Sequence, residues 1–468
     1  MAHSIHGTLI HSLTPTTLQI LPSTLLIISP TGLILSIHPS TPPSSIPSLL
    51  TPHNLTPSTC PTLTLSPTQF LLPGFIDTHT HAPQHSQRGL GRGLPLLTWL
   101  ETLTFPNEAK CADPVYASSL YTSCVRAGLK QGITTACYYA SLHQDASVVL
   151  ARTCIREGQR ALIGRCNMDR NAPDWYVESN GVEGSLRATE EFLEEVLALE
   201  QDPDHGVSDG DANKDGIRKG LVTPVITPRF AISCTDELLR GLGELVKRYP
   251  NLPVQTHFNE SPEEVEFTAQ LFPRFNSETE LYESFNLLNE RSILAHAIYL
   301  KDGEMERLKE LDCGIAHCPV SNTCMDRFMV APVREYLERG VKVGLGTDCG
   351  GGFTNSMLEV MRQAYLVSVA GKTFLGQGGD GGRTALSTEE GFYMATLGGA
   401  RVAGLDGKVG NFQPGKELDA CLVDVSVDGV MADVDEDEDI RSVFEKFIMT
   451  GDDRNITGVW VKGRRVKG

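Results

Sequence analysis

From about residue 70 onward, short apolar runs alternate with segments whose apolar residues recur every three or four positions. The runs predict buried β-strands, and the periodic segments predict amphipathic helices. Eight strand candidates are present: Leu71–His79, Gly132–Tyr138, Ala161–Met168, Leu221–Pro228, Leu252–His257, Ser292–His296, Gly314–His317 and Val341–Thr347. Eight strand–helix repeats favour a closed (β/α)8 barrel of the TIM type over an open doubly wound sheet. No GxGxxG motif follows any of the strands, which also disfavours a dinucleotide-binding sheet.

The starts of several helices carry capping signals. Asp113 followed by Pro114 predicts an N-cap and a first helical residue, with the helix continuing to about Lys130. Ser261–Glu264 and Ser387–Glu390 each have the spacing of a capping box, in which a serine and a glutamate cap each other's backbone.

The two ends of the chain have a different pattern from the middle. The first 76 residues contain no Asp, Glu, Lys or Arg, and short β-type runs such as Leu25–Ile28 lie among Ser, Thr and Pro. After Leu405 the pattern changes to short, glycine-bounded strands that end at Gly458–Lys462. We therefore predict a barrel domain over 71–404 and a small β-sandwich-like domain formed by 1–70 together with 405–468.

Composition limits the possible partners and the compartment. The formal net charge of −18 argues against a nucleic-acid-binding surface, because phosphate binding needs clustered Lys and Arg. No apolar run of 18 residues predicts a membrane span, and the uncharged N-terminus lacks the basic region of a signal peptide. The 12 cysteines form no CxxC pair and are expected to be free thiols in a reducing compartment, the cytosol. An acidic segment, Gln201–Gly220, resembles the start of a calcium loop at 211–216, but Val222 stands where the last ligand would be, so no calcium site is expected.

The clearest chemical signal is His79-Thr80-His81 at the end of the first strand candidate. Residues two apart on a strand point the same way, so both imidazoles can reach the mouth of the barrel and share one metal ion. An HxH pair alone is weak evidence, because two histidines can occur on one strand by chance.

Other strand ends strengthen the metal interpretation. His257 ends the fifth strand candidate, His296 ends the sixth, and Asp348 directly follows the eighth. In TIM barrels the catalytic groups lie at the carboxyl ends of the strands, so these side chains are expected to converge with the HxH pair. Nitrogen and carboxylate ligands without cysteine suit zinc, although iron also fits. The fourth strand candidate ends without a lysine that could bridge two metals, so we expect one zinc ion per subunit.

Two further residues near the strand ends are candidates. Glu260 lies three residues after His257 and is close enough to move protons without binding the metal, although it could also serve only as a charge at a helix start. His317 ends the seventh strand candidate, where a pocket role and a structural role remain equally open.

With these residues in place, the chain resembles the amidohydrolase superfamily and, within it, the guanine deaminase family. The resemblance extends from about Phe70 to the C-terminus. The histidines and the aspartate are shared by many hydrolases, whereas the narrower resemblance rests on longer strings, namely Pro73–His79, Leu96–Leu100, Thr134–Tyr138, Ile226–Phe230, Ile315–Pro319, Gly344–Asp348, Ala395–Gly399 and Gly451–Ile456.

The resemblance implies a set of roles and a reaction. It implies zinc-dependent conversion of guanine to xanthine and ammonia by a homodimer. The implied metal ligands are His79, His81, His257 and Asp348. Glu260 and Asp348 would shuttle protons, while His296 would orient water or substrate. The implied purine contacts are Gln84, Arg229, Phe230, His257, Glu260 and His296.

Three of these contacts also have a physical rationale of their own. Arg229 is a fixed array of donors for a carbonyl such as guanine O6, Gln84 offers a donor and an acceptor, and Phe230 can cover the face of a base. The sequence departs from the family at Pro83, which should stiffen the turn carrying Gln84, and in the acidic segment after Gln201. Two alternatives stay open: an aminohydrolase or chlorohydrolase-like enzyme acting on another purine or heterocycle, and a barrel scaffold that has lost its metal.

Overall fold

The computed structural model describes residues 1–178, 180–201, 220–374, 385–435 and 437–468. These residues form two eight-stranded sheets with helices around one of them. The strands in chain order are β1 (His3–Thr14), β2 (Thr17–Ile28), β3 (Ile34–His38), β4 (Thr62–Thr64), β5 (Gln69–Pro73), β6 (Phe75–His81), β7 (Ile133–Tyr139), β8 (Arg160–Asn167), β9 (Val222–Pro228), β10 (Val254–Phe258), β11 (Ser292–His296), β12 (Gly314–His317), β13 (Lys342–Leu345), β14 (Ala420–Asp424), β15 (Ile456–Val461) and β16 (Arg464–Lys467). The calcium-loop-like motif at 211–216 lies outside the described residues.

Most of the α-helices lie between or after the barrel strands, whereas the first precedes the barrel and the last lies between β14 and β15. They are α1 (Ile46–Leu50), α2 (Leu96–Trp99), α3 (Phe105–Ala109), α4 (Pro114–Lys130), α5 (Gln144–Glu157), α6 (Gly181–Gln201), α7 (Asp236–Arg248), α8 (Pro262–Leu271), α9 (Glu278–Ser284), α10 (Glu304–Glu310), α11 (Pro319–Asn322), α12 (Val333–Arg339), α13 (Met357–Phe374), α14 (Thr388–Ala395), α15 (Leu397–Val402) and α16 (Ile440–Thr450). In the described part of the chain, no helix combines the length and apolarity needed to cross a membrane.

The barrel consists of β6 to β13, with each strand parallel to the next in sequence order. The barrel closes between β6 and the residues after β13. The Asp348 amide donates to the His79 carbonyl at 2.8 Å, and buried Asp77 accepts from the Thr347 amide at 2.9 Å and from its hydroxyl at 2.6 Å. The predicted (β/α)8 barrel is confirmed, and all eight strand candidates overlap barrel strands.

The first strand candidate is divided between the two sheets. Its first part, β5, pairs with β14 and β1 in the terminal sheet, and only β6 enters the barrel. Gly74 lies at the division, where a Cβ atom would be 2.2 Å from the Thr134 hydroxyl oxygen. Glycine is therefore required at this bend, because the chain passes too close to the neighbouring strand for a side chain.

The terminal sheet combines both ends of the chain, in the order β16-β15-β14-β5-β1-β2-β3 with β4 beside β1. Its side chains alternate between two apolar clusters, since Leu26 and Ile28 of β2 lie in one cluster and Leu25 and Ile27 lie in the other. This period of two is what a strand buried on both faces requires. The predicted β unit assembled from both termini is confirmed as a sheet.

The helix-start predictions are confirmed with one difference. Asp113 caps α4 through the Val115 amide, and Ser387 with Glu390 forms a complete capping box at α14. At α8, Ser261 accepts from the Glu264 amide, but the Glu264 carboxylate accepts from the Glu260 amide at 3.0 Å instead of from Ser261. The glutamate thus holds the backbone of the preceding loop, where Glu260 lies.

A buried ion pair joins the barrel to the terminal sheet. Arg160 begins β8 and is 2 % exposed, and it donates to Asp419 at 3.1 and 3.2 Å and to Glu417 at 2.6 Å. Asp419 directly precedes β14, so this contact connects residues far apart in the chain. Removing one partner of a buried pair leaves an uncompensated charge, which makes this junction sensitive to substitution.

We expect Arg160→Met to lower the free energy of unfolding by about 3–5 kcal/mol, because Asp419 would remain buried without its partner. The measurement is equilibrium unfolding in urea. The matched control is Arg248→Met, which removes the exposed ion pair with Glu190 and should cost less than about 1 kcal/mol. Equal losses in the two variants would contradict a structural role specific to the buried junction.

Candidate active site

The side chains singled out at four strand ends meet in one place. His79 and His81 lie in β6, His257 lies in β10, His296 ends β11, and Asp348 follows β13. All five are buried, with at most 9 % of their surface exposed. Each lies at the carboxyl end of its strand, and parallel strands bring these ends to the same face of the barrel. The predicted convergence therefore occurs.

The nitrogen and oxygen atoms of this cluster are close enough to share a cation. The Nε2 atoms of His81 and His257 are 3.1 Å apart. Asp348 Oδ1 lies 3.3 Å from His79 Nε2 and 3.5 Å from His81 Nε2. One ligand atom from each of His79, His81 and His257 lies within 4.8 Å of the other two. Three imidazoles and one carboxylate at these separations are nitrogen and oxygen donors of the kind that zinc binds.

The protonation of the imidazoles also fits a metal. His257 Nδ1 lies 2.7 Å from the Arg229 carbonyl, so Nδ1 carries the proton and Nε2 carries the lone pair. Burial lowers the pKa of His79, and it lowers the pKa of His81 and His257 well below their usual value. Neutral imidazoles are the metal-binding form. Among the described residues, His79 Nε2 has no hydrogen-bond partner, so the protein alone leaves a nitrogen of this cluster unsatisfied.

A second grouping of possible ligands includes a cysteine that the sequence did not single out as a ligand. His79, His296 and Cys318 also bring ligand atoms within 4.8 Å of one another. The Cys318 thiol donates to the Ala316 carbonyl at 3.5 Å, and burial raises its pKa well above the usual value. A cysteine binds a metal as the deprotonated thiolate. The geometry and the protonation state therefore favour the set with Asp348.

The backbone around the site adopts a conformation that residues other than glycine rarely take. Asn259, His296, Ala297 and Asp348 have φ of 46°, 72°, 48° and 42°. Each such residue costs of order 1–3 kcal/mol and persists only where its surroundings hold it. The backbone amide of Asn259, for example, donates to the carboxylate of buried Glu278 at 2.9 Å. Strain concentrated at these strand ends is typical of a functional site.

Glu260 faces the cluster from the loop between β10 and α8. Its Oε1 lies 3.6 Å from His296 Nε2. His296 Nδ1 lies 2.8 Å from the Asn322 amide oxygen, which directs Nε2 towards Glu260. Burial raises the pKa of Glu260 to about 7. A carboxyl group with a pKa near neutrality can both donate and accept a proton at physiological pH.

A pocket opens beside the cluster and contains the three residues expected to hold a base. Its lining consists of His81, Gln84, Leu96, Trp99, Leu100, Arg229, Phe230, His257, Glu260, Met325 and Asp348. Gln84 lies in the short 3₁₀ helix Ala82–Gln87, and Pro83 is the second residue of that helix. Arg229 and Phe230 directly follow β9. Gln84, Arg229 and Phe230 therefore line the same space as three of the four expected metal ligands.

The sequence reasoning missed Glu108, a fully buried residue of α3 beside this pocket. Its carboxylate accepts two hydrogen bonds from Arg229, at 2.7 and 3.0 Å, and one from Gln84 at 2.9 Å. No local pattern distinguishes Glu108 from Glu101, a nearby glutamate that is exposed. Only the long-range contact with Arg229 distinguishes the two glutamates.

His317 does not reach this pocket. It is buried and lines a separate cavity with Val330, Ala331 and Arg334. Burial lowers its pKa to about 3, so it is a neutral residue of the interior. Of the two readings left open for it, the structural one fits this position.

Comparison with known proteins identifies the family. The model of the amidohydrolase family matches residues 70–466. The chain belongs to the amidohydrolase family. It is 42 % identical to a guanine deaminase of Dictyostelium discoideum over 85 % of this chain and 83 % of that protein. It is 40 % identical to a probable guanine deaminase of Schizosaccharomyces pombe over 99 % and 83 % of the two chains.

A solved structure agrees with these relatives. The crystal structure of guanine deaminase from C. acetobutylicum with guanine bound in the active site matches with a TM-score of 0.84 and 32 % identity, covering 99 % of this chain and 100 % of that one. At this identity and coverage, the chain belongs to the guanine deaminase branch of the amidohydrolases. The resemblance expected from the motifs is confirmed.

We expect His81→Ala to reduce bound zinc from about one equivalent to less than about 0.1, because it removes one of the converging nitrogens. The measurement is zinc content by atomic emission after dialysis against a weak chelator. The control is His53→Ala, which changes a histidine between β3 and β4 that is hydrogen-bonded to Ser36. Full zinc retention by the His81 variant would contradict a metal centre at this cluster.

Proposed function

We propose that this amidohydrolase converts guanine and water to xanthine and ammonia, using one zinc ion. The observation that carries the proposal is the shared pocket. It combines the histidine–aspartate cluster, a carboxyl group with a pKa near 7 and the Gln84–Arg229–Phe230 base contacts. The guanine deaminase relatives and the guanine-bound structure of one of them support this substrate.

The proposed zinc ligands are His79, His81, His257 and Asp348. When bound, zinc would act as a Lewis acid that lowers the pKa of a coordinated water from 15.7 towards about 7. The described residues at the end of β9 are Arg229 and Phe230, and no lysine is available there to bridge a second metal. Iron fits the same nitrogen and oxygen donors, so the identity of the metal rests on measurement.

The pocket residues can contact both the edge and the face of one bound base. Arg229 keeps guanidinium donors available for the carbonyl O6 of guanine, and Gln84 presents its amide to the ring edge. Phe230 lies with its ring centroid 6.2 Å from that of His257, so it can cover one face of a base bound against the cluster. Held in this way, C2 and its amino group would face Glu260 and Asp348.

The proton transfers follow from the positions of the carboxyl groups. Glu260 takes a proton from the attacking water and delivers it to a ring nitrogen next to C2, which makes C2 a better electrophile. Asp348 then takes part in moving a proton to the exocyclic amine, which leaves as ammonia. His296, whose Nε2 faces both carboxyl groups at 3.6 and 4.0 Å, orients the reacting groups. Each transfer is of the kind that typically contributes about 10²–10⁴-fold in rate.

Two alternatives are less well supported. A triazine hydrolase resembles the chain with a TM-score of 0.78 but only 20 % identity, which speaks for the fold alone. A scaffold that had lost its metal should lack ligands, whereas every expected ligand is present and buried here.

The cellular setting is also part of the proposal. We propose a cytosolic enzyme, and the 12 cysteines, all of them free and 11 of them buried, support a reducing compartment. The homodimer implied by the family resemblance stays a prediction.

We expect the zinc-loaded protein to release one xanthine and one ammonia per guanine consumed. Adenine and cytosine should react at least about 100-fold more slowly, because they lack the O6 carbonyl that Arg229 would bind. The assay follows loss of the base by chromatography and ammonia by a coupled reaction. Preferential turnover of adenine would overturn the substrate and leave the hydrolase chemistry standing.

We expect Glu260→Gln to lower kcat by at least about 10³-fold while zinc content stays at the wild-type level, because an amide cannot shuttle the proton. Glu263→Gln is the matched control, since it makes the same change in the first turn of α8 at a half-exposed side chain paired with Arg327. Its kcat should stay within about twofold of wild type. Undiminished turnover in the Glu260 variant would refute the proton-shuttle role.

A further inference from the structure

Glu108 has all of its hydrogen-bonding capacity occupied within the protein. An ionised carboxylate offers about four lone-pair sites. Oε2 accepts from Arg229 Nη1 at 2.7 Å and from the Tyr176 hydroxyl at 2.8 Å. Oε1 accepts from Arg229 Nη2 at 3.0 Å and from Gln84 Nε2 at 2.9 Å. Four donors on three side chains therefore converge on one carboxylate that is fully buried.

This arrangement fixes which end of the Gln84 amide faces Glu108. If the amide were turned over, its oxygen would face a carboxylate oxygen, and two acceptors would repel each other. The nitrogen must therefore face Glu108, and the oxygen must face away. Gln84 Oε1 is buried and has no partner among the described residues, although the side chain lines the pocket. An acceptor is thus held ready beside the proposed base site.

A glycine leaves room for the same amide on its other side. A Cβ atom on Gly350 would lie 2.2 Å from Gln84 Oε1, so only glycine leaves room for the oxygen there. Gly350 also has a φ of +114°, which a side chain would disfavour. The amide therefore lies between the Glu108 carboxylate and the glycine that follows Asp348 by two residues.

The same carboxylate determines what Arg229 can offer. The end-on pair takes one N–H from each terminal nitrogen of the guanidinium, and in the described part of the chain no other hydrogen bond to the guanidinium is found. The Phe105 ring lies 5.3 Å from the guanidinium carbon and limits its movement further. Donors that are not directed at Glu108 remain for a ligand, and Arg229 lines the pocket.

We infer that Glu108 is a positioning residue that selects the substrate, by holding Gln84 as an acceptor and Arg229 as a donor towards the base. An acceptor beside a donor matches a lactam edge, in which a ring N–H stands next to a carbonyl oxygen. Guanine carries this edge at N1 and O6, and a purine without the carbonyl does not. The inference rests on the proposed function and extends it from the reacting groups to the cause of the substrate preference.

The test compares two bases that share the reacting carbon. Guanine and 2-aminopurine both carry an amine at C2, but 2-aminopurine lacks O6 and the N1 proton. In Glu108→Gln, the new amide offers one oxygen where two were used, so Gln84 or Arg229 must turn. We expect kcat/KM for guanine to fall by about 100-fold, mainly through KM, and the guanine to 2-aminopurine ratio of kcat/KM to fall by at least about tenfold.

A matched control separates selection from loss of a buried charge. Arg165 and Glu178 form another buried pair at 2.5 Å, and both residues line a different cavity. Glu178→Gln makes the same change there and should leave the ratio within about twofold of wild type. Glu108→Asp, which keeps the charge but shortens the side chain, serves as the second variant if Glu108→Gln fails to fold, and we expect its ratio to fall at least about fivefold.

The outcomes separate the inference from the proposed function. Wild-type protein that releases no xanthine from guanine would sink the proposed function, whatever the variants do. Active wild type, together with an unchanged ratio in every Glu108 variant that folds, would overturn the inference alone. Equal proportional losses on both bases, with zinc content at the wild-type level, would mean that Glu108 only supports the structure.

Discussion

The site depends on crowding several neutral imidazoles around a carboxylate in the buried interior of the barrel. His81 and His257 hold their Nε2 atoms 3.1 Å apart, a distance at which two protonated rings would repel strongly. Burial removes that charge by lowering their pKa values, so the two Nε2 atoms face each other as lone-pair donors. Both ring nitrogens of neighbouring His79 have no hydrogen-bond partner among the described residues. Buried polar atoms without partners are costly, so the fold maintains an arrangement that a cation would complete.

The barrel supplies the rigidity that this arrangement needs. Asp77 ties β6 to the residues after β13 through both the amide and the hydroxyl of Thr347. Asp77 lies two residues before His79, and Thr347 directly precedes Asp348. The contact that closes the barrel therefore also positions the metal-site cluster. The positive φ values of His296 and Asp348 are strained backbone conformations that the surrounding structure stabilises.

Two buried glutamates beside the pocket differ because their surroundings differ. Glu108 meets four donors, so its oxygens are saturated and its effect passes through the side chains that it holds. Glu260 receives no hydrogen bond on its carboxylate from the described residues, and burial raises its pKa to about 7. The first environment fixes the position of the carboxylate, and the second allows Glu260 to gain and lose a proton. Sequence alone shows two glutamates, and only the environment separates their roles.

By itself, the sequence determined the features that depend on neighbours along the chain. Strand and helix periodicity, capping residues, the HxH spacing and the positions of His257, His296 and Asp348 at strand ends all follow from local rules, and the rule that parallel strands end on one face joined them into one site. The tertiary structure decided what depends on contacts between distant residues. It placed Glu108 against Arg229, which is 121 residues away, turned His317 out of the pocket, gave β5 to the terminal sheet, and brought Arg160 against Asp419. The Glu108 and Arg160 contacts depend on which buried charges find partners during packing, and no local pattern records that choice.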